Sequence, residues 1–158
     1  MRQGVSGGES VLVDSYRLVD AIDPELRAFL FNMAVDHSEP DMRPALSPLA
    51  ITTAAGRVAV RRTPYVRPEP DAPDANDVAT TIARWDAAVA AQFANAKRFM
   101  LEVGDVAVID NYRVLHGRDP FTGERFMWRV WAWTDRATAC RRGCCTPTAA
   151  TRRRRSRK

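Results

Sequence analysis

The sequence predicts a mainly β, α+β fold in which two amphipathic helices flank a set of short strands. Short β-prone runs recur along the chain between glycine and proline residues. Two longer stretches carry apolar residues at helical spacing. No stretch of sequence is repeated, and the predicted order β-α-loop-ββ-loop-α-βββ favours strand pairs that are mostly antiparallel. This order indicates a barrel or sandwich with the helices packed outside.

The first part of the chain predicts one strand, one helix and a loop. A glycine pair at 7–8 precedes the β-branched run 11–13, which is typical of a strand entered through a turn. Asp23 and Pro24 suit the N-cap and the first position of a helix. One apolar stripe follows at helical spacing, formed by Leu26, Phe29, Leu30, Met33 and Ala34. Residues 36–48 contain three prolines and are predicted to be a loop.

The middle of the chain predicts a hairpin and a long helix. Residues 49–53 and 57–62 are β-prone runs joined by Ala-Ala-Gly at 54–56, which predicts a hairpin. Four prolines in residues 64–74 indicate an extended connection. Residues 76–96 then carry a second apolar stripe at helical spacing, formed by Val78, Ile82, Trp85, Val89 and Phe93.

Three further strands are predicted after the long helix, and they carry most of the candidate chemistry. They comprise residues 106–109, a run that ends at His116, and residues 125–133. Because side chains alternate along a strand, Arg125 and Arg129 are expected on the same face. Arginine binds carboxylates in a bidentate manner and histidine binds metals, so these residues form a candidate metal and carboxylate site. A histidine packed in the core or at a sheet edge, beside two solvated arginines, remains the alternative.

Length and composition indicate a single globular domain. The chain has 158 residues and a mass of 17.7 kDa, with 46% hydrophobic and 27% charged residues. No apolar run approaches the roughly 18 residues of a membrane span. The N-terminal residues contain no apolar signal core. We therefore predict a cytoplasmic protein that does not associate with membranes.

The net charge of +5 comes from the C-terminal tail. Residues 136–158 hold nine of the 24 basic residues and no acidic residue. The other 15 basic and 19 acidic residues give residues 1–135 a net charge of −4, which argues against a nucleic-acid-binding body. We predict a domain at 1–135 and a disordered tail at 136–158. The run RRRRSRK leaves open a nuclear-import signal or a nucleic-acid-binding patch as the alternative.

All three cysteines lie in this tail. They are Cys140, Cys144 and Cys145. Their odd number argues against a disulfide framework, and their spacing, with no second pair and no histidine nearby, argues against a zinc site.

Two segments resemble a known enzyme family. The run GDVAVIDNYRVLHGRDPF and the following RFMWRVW resemble the C-terminal half of the iron(II)- and 2-oxoglutarate-dependent dioxygenases of the taurine dioxygenase type. That group includes clavaminate synthase and gamma-butyrobetaine hydroxylase. The segment GGESVLVDSYRLVDAI resembles the stretch that follows the first metal motif of the family. The resemblance covers residues 7–135 and implies a partial double-stranded β-helix, a relative of the jelly roll.

The resemblance also implies roles for four residues. His116 matches the distal histidine of an iron site formed by two histidines and a carboxylate. Arg125 matches the arginine that binds the far carboxylate of 2-oxoglutarate, and Ser10 matches a hydroxyl beside that cosubstrate. Arg129 matches an arginine that faces an acidic group of the substrate. The implied chemistry uses dioxygen, converts 2-oxoglutarate to succinate and hydroxylates a small, carboxylate-bearing molecule.

The remaining iron ligands of the family are not evident in the sequence. In relatives an H-x-D or H-x-E motif lies upstream of the glycine-rich segment, whereas only six residues precede Gly7 and none is histidine. We therefore expect an N-terminally truncated domain with little or no activity. His37, Ser38 and Glu39 form an H-x-E triplet, but it follows the glycine-rich segment and lies in the proline-rich loop. A solvated loop histidine is the favoured interpretation of His37.

Two further expectations follow from a truncated domain. The chain is alternatively a catalytically dead module that keeps an arginine pocket for 2-oxoglutarate or another dicarboxylate. Strands at 106–109 and 130–133 would lack partners, and exposed strand edges promote association. We therefore expect homo-oligomers or aggregation.

Overall fold

The computed structural model describes residues 6–132. The predicted tail at 136–158, with its cysteines and its basic run, lies outside the described residues. In the described part of the chain, helices and strands follow one another in the order β1 (Ser6–Gly7), β2 (Ser10–Asp14), α1 (Ser15–Ala21), α2 (Pro24–Asn32), β3 (Val35–Asp36), β4 (Leu46–Ser47), β5 (Ala50–Thr52), β6 (Val58–Val60), α3 (Ala75–Asn95), β7 (Arg98–Phe99), β8 (Val114–Arg118) and β9 (Phe121–Thr122).

The strands form four small antiparallel sheets. Strand β2 lies between β7 and β8, while β1 pairs with β9, β3 with β4, and β5 with β6. The predicted mixture of helices and antiparallel strands is therefore confirmed. The more specific prediction of a double-stranded β-helix is not met in residues 6–132, because the strands there are short and belong to four separate sheets.

Both predicted helices form. In α2 the side chain of Asp23 accepts a hydrogen bond of 2.9 Å from the backbone N–H of Leu26, and Pro24 occupies the first turn, as predicted. Helix α3 begins and ends one residue earlier than predicted. None of the three helices in the described part of the chain is long and apolar enough to span a membrane.

The core forms around α3. Its apolar stripe faces inward, and Trp85 is completely buried. Helices α1 and α2 pack against α3 together with the inner face of β2. The buried apolar side chains of this cluster are Val13, Leu18, Val19, Leu26, Leu30, Val35, Leu49, Ala50, Val60, Val78, Ile82, Trp85, Val89 and Leu115. Burial of so much apolar surface is the main source of stability in this half of the molecule.

Arg98 closes the C-terminal end of α3. Its Nη1 donates hydrogen bonds of 2.7 Å to the backbone carbonyls of Phe93 and Ala96, and the Phe93 carbonyl also accepts a longer bond of 3.4 Å from the Ala96 N–H. Its Nε donates to the Asp119 carboxylate at 3.1 Å. Arg98 therefore ties the end of the helix to the segment that follows β8.

The predicted hairpin forms, but the predicted loop is partly regular. Strands β5 and β6 pair across a turn in which the Gly56 N–H donates to the Thr53 carbonyl at 2.9 Å. Gly56 has a φ of +73°, which favours glycine. Residues 36–48 were expected to be a loop, yet β3 and β4 pair across most of this stretch. The buried Asp36 carboxylate accepts hydrogen bonds that hold the segment between β3 and β4 in place.

Other differences concern strands and a short helix. Residues 106–109 form neither helix nor strand, and residues 125–132 contain only an isolated β-bridge at Phe126, although both stretches were predicted as strands. Val106, Val108 and Trp128 are 82%, 93% and 81% exposed. A β-prone run becomes a strand only when a neighbour pairs with its backbone, and no described segment does so here. The prediction also missed α1, which has only seven residues.

Candidate functional site

The pairing of β2 with β8 brings two of the predicted site residues to one face of the sheet. Ser10 lies opposite Arg118, and Leu12 lies opposite His116. Residues directly opposite each other in an antiparallel pair point to the same face. These four side chains therefore share the outer face, whereas Val11, Val13 and Leu115 are buried on the inner face.

His116 presents an exposed imidazole on this outer face. Its Nδ1 lies 3.5 Å from the Val114 carbonyl, at the limit of a hydrogen bond. Its exposure and weak internal bonding leave the ring free to bind a ligand. Across residues 6–132, no three histidine, cysteine, aspartate or glutamate side chains lie close enough to hold a metal ion together. The described donor set therefore does not match a complete site of two histidines and one carboxylate.

Arg125 has the side-chain environment of an anion-binding residue. Its Nη1 donates to the Gly8 carbonyl. Its Nε and Nη2 are buried and have no hydrogen-bond partner within residues 6–132. Unsatisfied buried donors of this kind cost about 1–3 kcal/mol, more for charged groups. A carboxylate is the acceptor that best fits the fork of a guanidinium, so the observed donors fit the predicted role of Arg125 towards 2-oxoglutarate.

Gly8 makes room for this guanidinium. Its φ is +84°, a backbone conformation that favours glycine. A Cβ atom added at position 8 would collide with Nη1 of Arg125 and would lie 3.1 Å from Cβ of Phe121. Because Gly8 is two residues from Ser10, the hydroxyl of Ser10 and the guanidinium of Arg125 lie at the same end of β2. The structure therefore brings Ser10, His116 and Arg125 to one region.

Arg118 also belongs to this region, although the sequence analysis gave it no role. Its guanidinium carbon lies 5.2 Å from the centre of the Phe121 ring, and its Nη1 lies 3.2 Å from the sulfur of Met127. It forms no ion pair with the carboxylates of the described residues. Its position two residues after His116, on the same strand, was the signal that placed it on the same face.

Arg129 is less well placed than the sequence suggested. It was expected on a regular strand, on the same face as Arg125. In the structure it follows Arg125 in a segment without regular structure, and its guanidinium carbon lies 5.9 Å from the centre of the Trp131 ring. The role of Arg129 towards a substrate therefore stays a prediction.

His37 does not lie in a solvated loop, and that prediction was wrong. It is 3% exposed, and its Nε2 donates to the Ser47 carbonyl at 3.1 Å. Burial lowers the pKa of His37, and the nearby Arg61 lowers it further. Its Nδ1 is buried without a hydrogen-bond partner, and Glu39 is exposed. His37 joins β3 to β4 through this hydrogen bond, and this structural role explains its burial.

The neighbouring Asp36 is a buried anion with a complete set of donors. Its carboxylate accepts hydrogen bonds of 2.9 Å from the N–H and the hydroxyl of Ser38 and from the N–H of Ala45. Arg67 lies 2.7 Å away. Burial opposes ionisation, but these hydrogen bonds and Arg67 together lower the pKa of Asp36 to about 2. The cluster is fully satisfied and stabilises the hairpin.

Comparison with known proteins identifies the family of the chain. A sequence model of the family described as "Taurine catabolism dioxygenase TauD, TfdA family" matches residues 2–131 of the 158. The matched residues include every part of the region around Ser10, His116 and Arg125. No curated protein gives a significant match to the chain.

Proposed function

Because the chain belongs to the taurine catabolism dioxygenase TauD, TfdA family, we propose that it is an iron(II)- and 2-oxoglutarate-dependent dioxygenase domain. The observation that carries the proposal is the pair of buried donors on Arg125 that lack a partner. In this proposal Arg125 binds the far carboxylate of 2-oxoglutarate, and the Ser10 hydroxyl lies beside it. The family match supports the choice of cosubstrate, and the unpartnered donors of Arg125 support the choice of the residue that would bind it.

The residues of this chain would position the cosubstrate. A bidentate contact to Arg125 fixes both the location and the rotation of a carboxylate, which orients the rest of the molecule along the outer face of β2 and β8. His116 is the proposed iron ligand on that face. Within residues 6–132, no second histidine and carboxylate join His116 to complete an iron site.

The proposed substrate is a small molecule that bears a carboxylate. Arg118 and Arg129 are cationic, and neither forms an ion pair with a carboxylate of the described residues. Arginine favours anionic groups with planar geometry. An acidic substrate would therefore be attracted to Arg118 on the outer face, and Arg129 would add positive charge from the segment that follows Arg125.

Binding of 2-oxoglutarate tests the proposal. Arg125→Ala should weaken binding of 2-oxoglutarate about tenfold or more, because a charge-assisted hydrogen bond contributes about 1.5–3 kcal/mol. Arg27→Ala is the matched control, since Arg27 is an exposed arginine of α2 paired with Asp20. Calorimetric titration of the three proteins would measure the effect. Equal affinities for all three would contradict the assignment of Arg125.

A second candidate function is a binding module that keeps the dicarboxylate pocket without catalysis. It is favoured by the finding that no three potential ligands meet within residues 6–132. This candidate predicts that 2-oxoglutarate raises the melting temperature equally with and without a divalent metal. Iron-dependent formation of succinate from 2-oxoglutarate by the purified chain, lost in His116→Ala, would support the oxygenase and exclude the module.

A further inference from the structure

The sheet that carries the proposed site also presents two apolar side chains on its outer face. Strand β7 pairs with β2 on the side away from β8, and this pairing places Phe99 opposite Ser10. Two residues further along β2, Leu12 lies opposite His116. Leu12 and Phe99 are 38% and 37% exposed, so neither side chain is packed in the core. We call Leu12 and Phe99 the apolar pair.

Other residues of the same strands occupy the inner face of the sheet, which packs against α3. Arg98 reaches the carbonyls at the C-terminal end of α3. A Cβ atom added at Gly117 would lie 3.1 Å from the ring of Phe93 in that helix. Because side chains alternate along a strand, the neighbours of these two residues, which include Phe99 and His116, point away from α3. The apolar pair therefore shares the outer face with the proposed iron ligand.

Arg118 supplies a positive charge beside the apolar pair. In the sheet Ser10 lies between Phe99 and Arg118. The groups that contact the guanidinium of Arg118 are the ring of Phe121 and the sulfur of Met127, and both are uncharged. These contacts hold the side chain without neutralising its charge. An anionic group of a ligand can therefore pair with Arg118 next to apolar surface.

The opposite end of the outer face is already neutralised. Asp14 lies two residues beyond Leu12 on β2, so its side chain points to the same face. Its carboxylate lies 3.0 Å from Nη2 of Arg113. A second carboxylate on the ligand would meet the carboxylate of Asp14 there, and Arg113 is already paired. The charges of this face therefore favour a ligand with one anionic group.

We propose that the substrate of this site is a monocarboxylate with a straight apolar chain, and that Leu12 and Phe99 determine this specificity. The inference rests on the proposed function, because it concerns the molecule that lies beside 2-oxoglutarate. Arg118 binds the carboxylate, and the apolar pair removes the chain from water. Neighbouring strands lie about 4.8 Å apart, and residues two apart on a strand are separated by roughly 6.6 Å. A short alkyl chain that starts at Arg118 therefore reaches both members of the apolar pair.

The first test compares straight-chain acids of increasing length. Butanoate, hexanoate and octanoate are titrated calorimetrically into the full chain with excess 2-oxoglutarate present, so that Arg125 is occupied. Affinity should rise about twofold or more for each added methylene, because each one leaves water for apolar surface. Octylamine has the same chain without the carboxylate, and it should bind at least about tenfold more weakly than octanoate. Equal affinities along the series, or equal affinities for octylamine and octanoate, would overturn the inference.

The second test separates the two parts of the ligand with variants. Leu12→Thr and Phe99→Thr should each lower the ratio of octanoate to butanoate affinity at least about threefold, because a polar side chain replaces an apolar contact. Arg118→Gln should weaken both acids by a similar factor and preserve the ratio. Ile51→Thr is the matched control, since Ile51 is 43% exposed on β5, in a different sheet.

Circular dichroism of each variant checks that the helices remain folded, and the two apolar variants are independent of each other. An unchanged ratio in a folded Leu12→Thr or Phe99→Thr protein would overturn the inference. A ratio that falls as much in Ile51→Thr would overturn it as well.

Titration of 2-oxoglutarate alone distinguishes this inference from the proposed function. Binding of 2-oxoglutarate that depends on Arg125, without any preference for longer acids, would overturn the inference and leave the proposed function intact. A preference for longer acids without binding of 2-oxoglutarate would overturn the proposed function and, with it, the identification of the ligand as a substrate.

Discussion

Helix α3 and the chain that follows it differ in how much of their apolar surface is buried. The apolar stripe of α3 is packed in the core, with Trp85 fully buried. In the later chain Val108 and Trp128 are almost fully exposed. A helix satisfies its own backbone hydrogen bonds and needs only a surface to pack on, whereas a strand needs a neighbour for its backbone. The apolar stripe of α3 is therefore packed within this chain, while residues 106–109 and 125–132 leave large apolar side chains exposed to solvent.

The largest expected contrast is between two tryptophans. Trp85→Ala should lower the free energy of unfolding by about 3–5 kcal/mol, because it opens a cavity in the core. Trp128→Ala should change it by no more than about 0.5 kcal/mol. Urea denaturation of each variant and of the wild type would measure both changes. Similar losses for the two variants would contradict the distinction between the regions.

A smaller loss is expected at the buried carboxylate. Asp36→Asn should cost about 2–3 kcal/mol, because an amide cannot accept the hydrogen bonds from Ser38, Ala45 and Arg67 as the carboxylate does. Asp20→Asn is the control, since Asp20 is exposed and pairs with Arg27 on the surface. The same denaturation measurement applies. An equal, small change in both variants would show that the cluster contributes little.

A loss of about 1 kcal/mol is expected when the cap of α3 is removed. Arg98→Ala removes the short hydrogen bonds to the carbonyls of Phe93 and Ala96 and breaks the ion pair with Asp119. Hydrogen exchange should become faster in the last turn of α3 but not in its centre. Unchanged exchange in that turn would argue that water replaces the guanidinium at no cost.

A further expected effect is a dependence of stability on pH. His37 and Asp36 both have a lowered pKa in the folded protein, from 6.5 in the first case and from 3.8 to about 2 in the second. The unfolded chain therefore binds protons first, so stability is lost as the pH falls. The loss should begin below pH 6.5 with His37 and continue between pH 3.8 and about 2 with Asp36. His37→Gln should remove the first part, and an unchanged slope would contradict this assignment.

Sequence patterns predicted the parts of the fold that depend on local interactions. The cap at Asp23, the stripe of α3 and the turn at Gly56 could all be predicted, because each depends on interactions between residues close in the sequence. The predicted strand at 106–109 does not form, and residues 125–132 of the other predicted strand show only a single bridge, since pairing depends on distant neighbours that a local pattern does not reveal. His37 was misplaced for the same reason, because its burial depends on the pairing of β3 with β4, where its Nε2 donates to the Ser47 carbonyl.

The candidate site was predicted in its residue types but not in its geometry. The family resemblance identified Ser10, His116 and Arg125, and the register of β2 with β8 explains why the first two share a face. The contact of Arg125 with Gly8 could not be predicted, because the two residues are far apart in the sequence. Arg118 was not predicted, although its position two residues after His116 on the same strand places both side chains on one face.

Hydrogen exchange in the presence of 2-oxoglutarate tests the central claim most directly. If Arg125 and the segment around Gly8 hold the cosubstrate, amides of residues 7–12 and 114–126 should exchange more slowly when 2-oxoglutarate is added, while those in the centre of α3 should not change. Arg125→Ala should abolish this protection without altering α3. Protection that is absent, or that extends equally over α3 and survives in Arg125→Ala, would contradict the account.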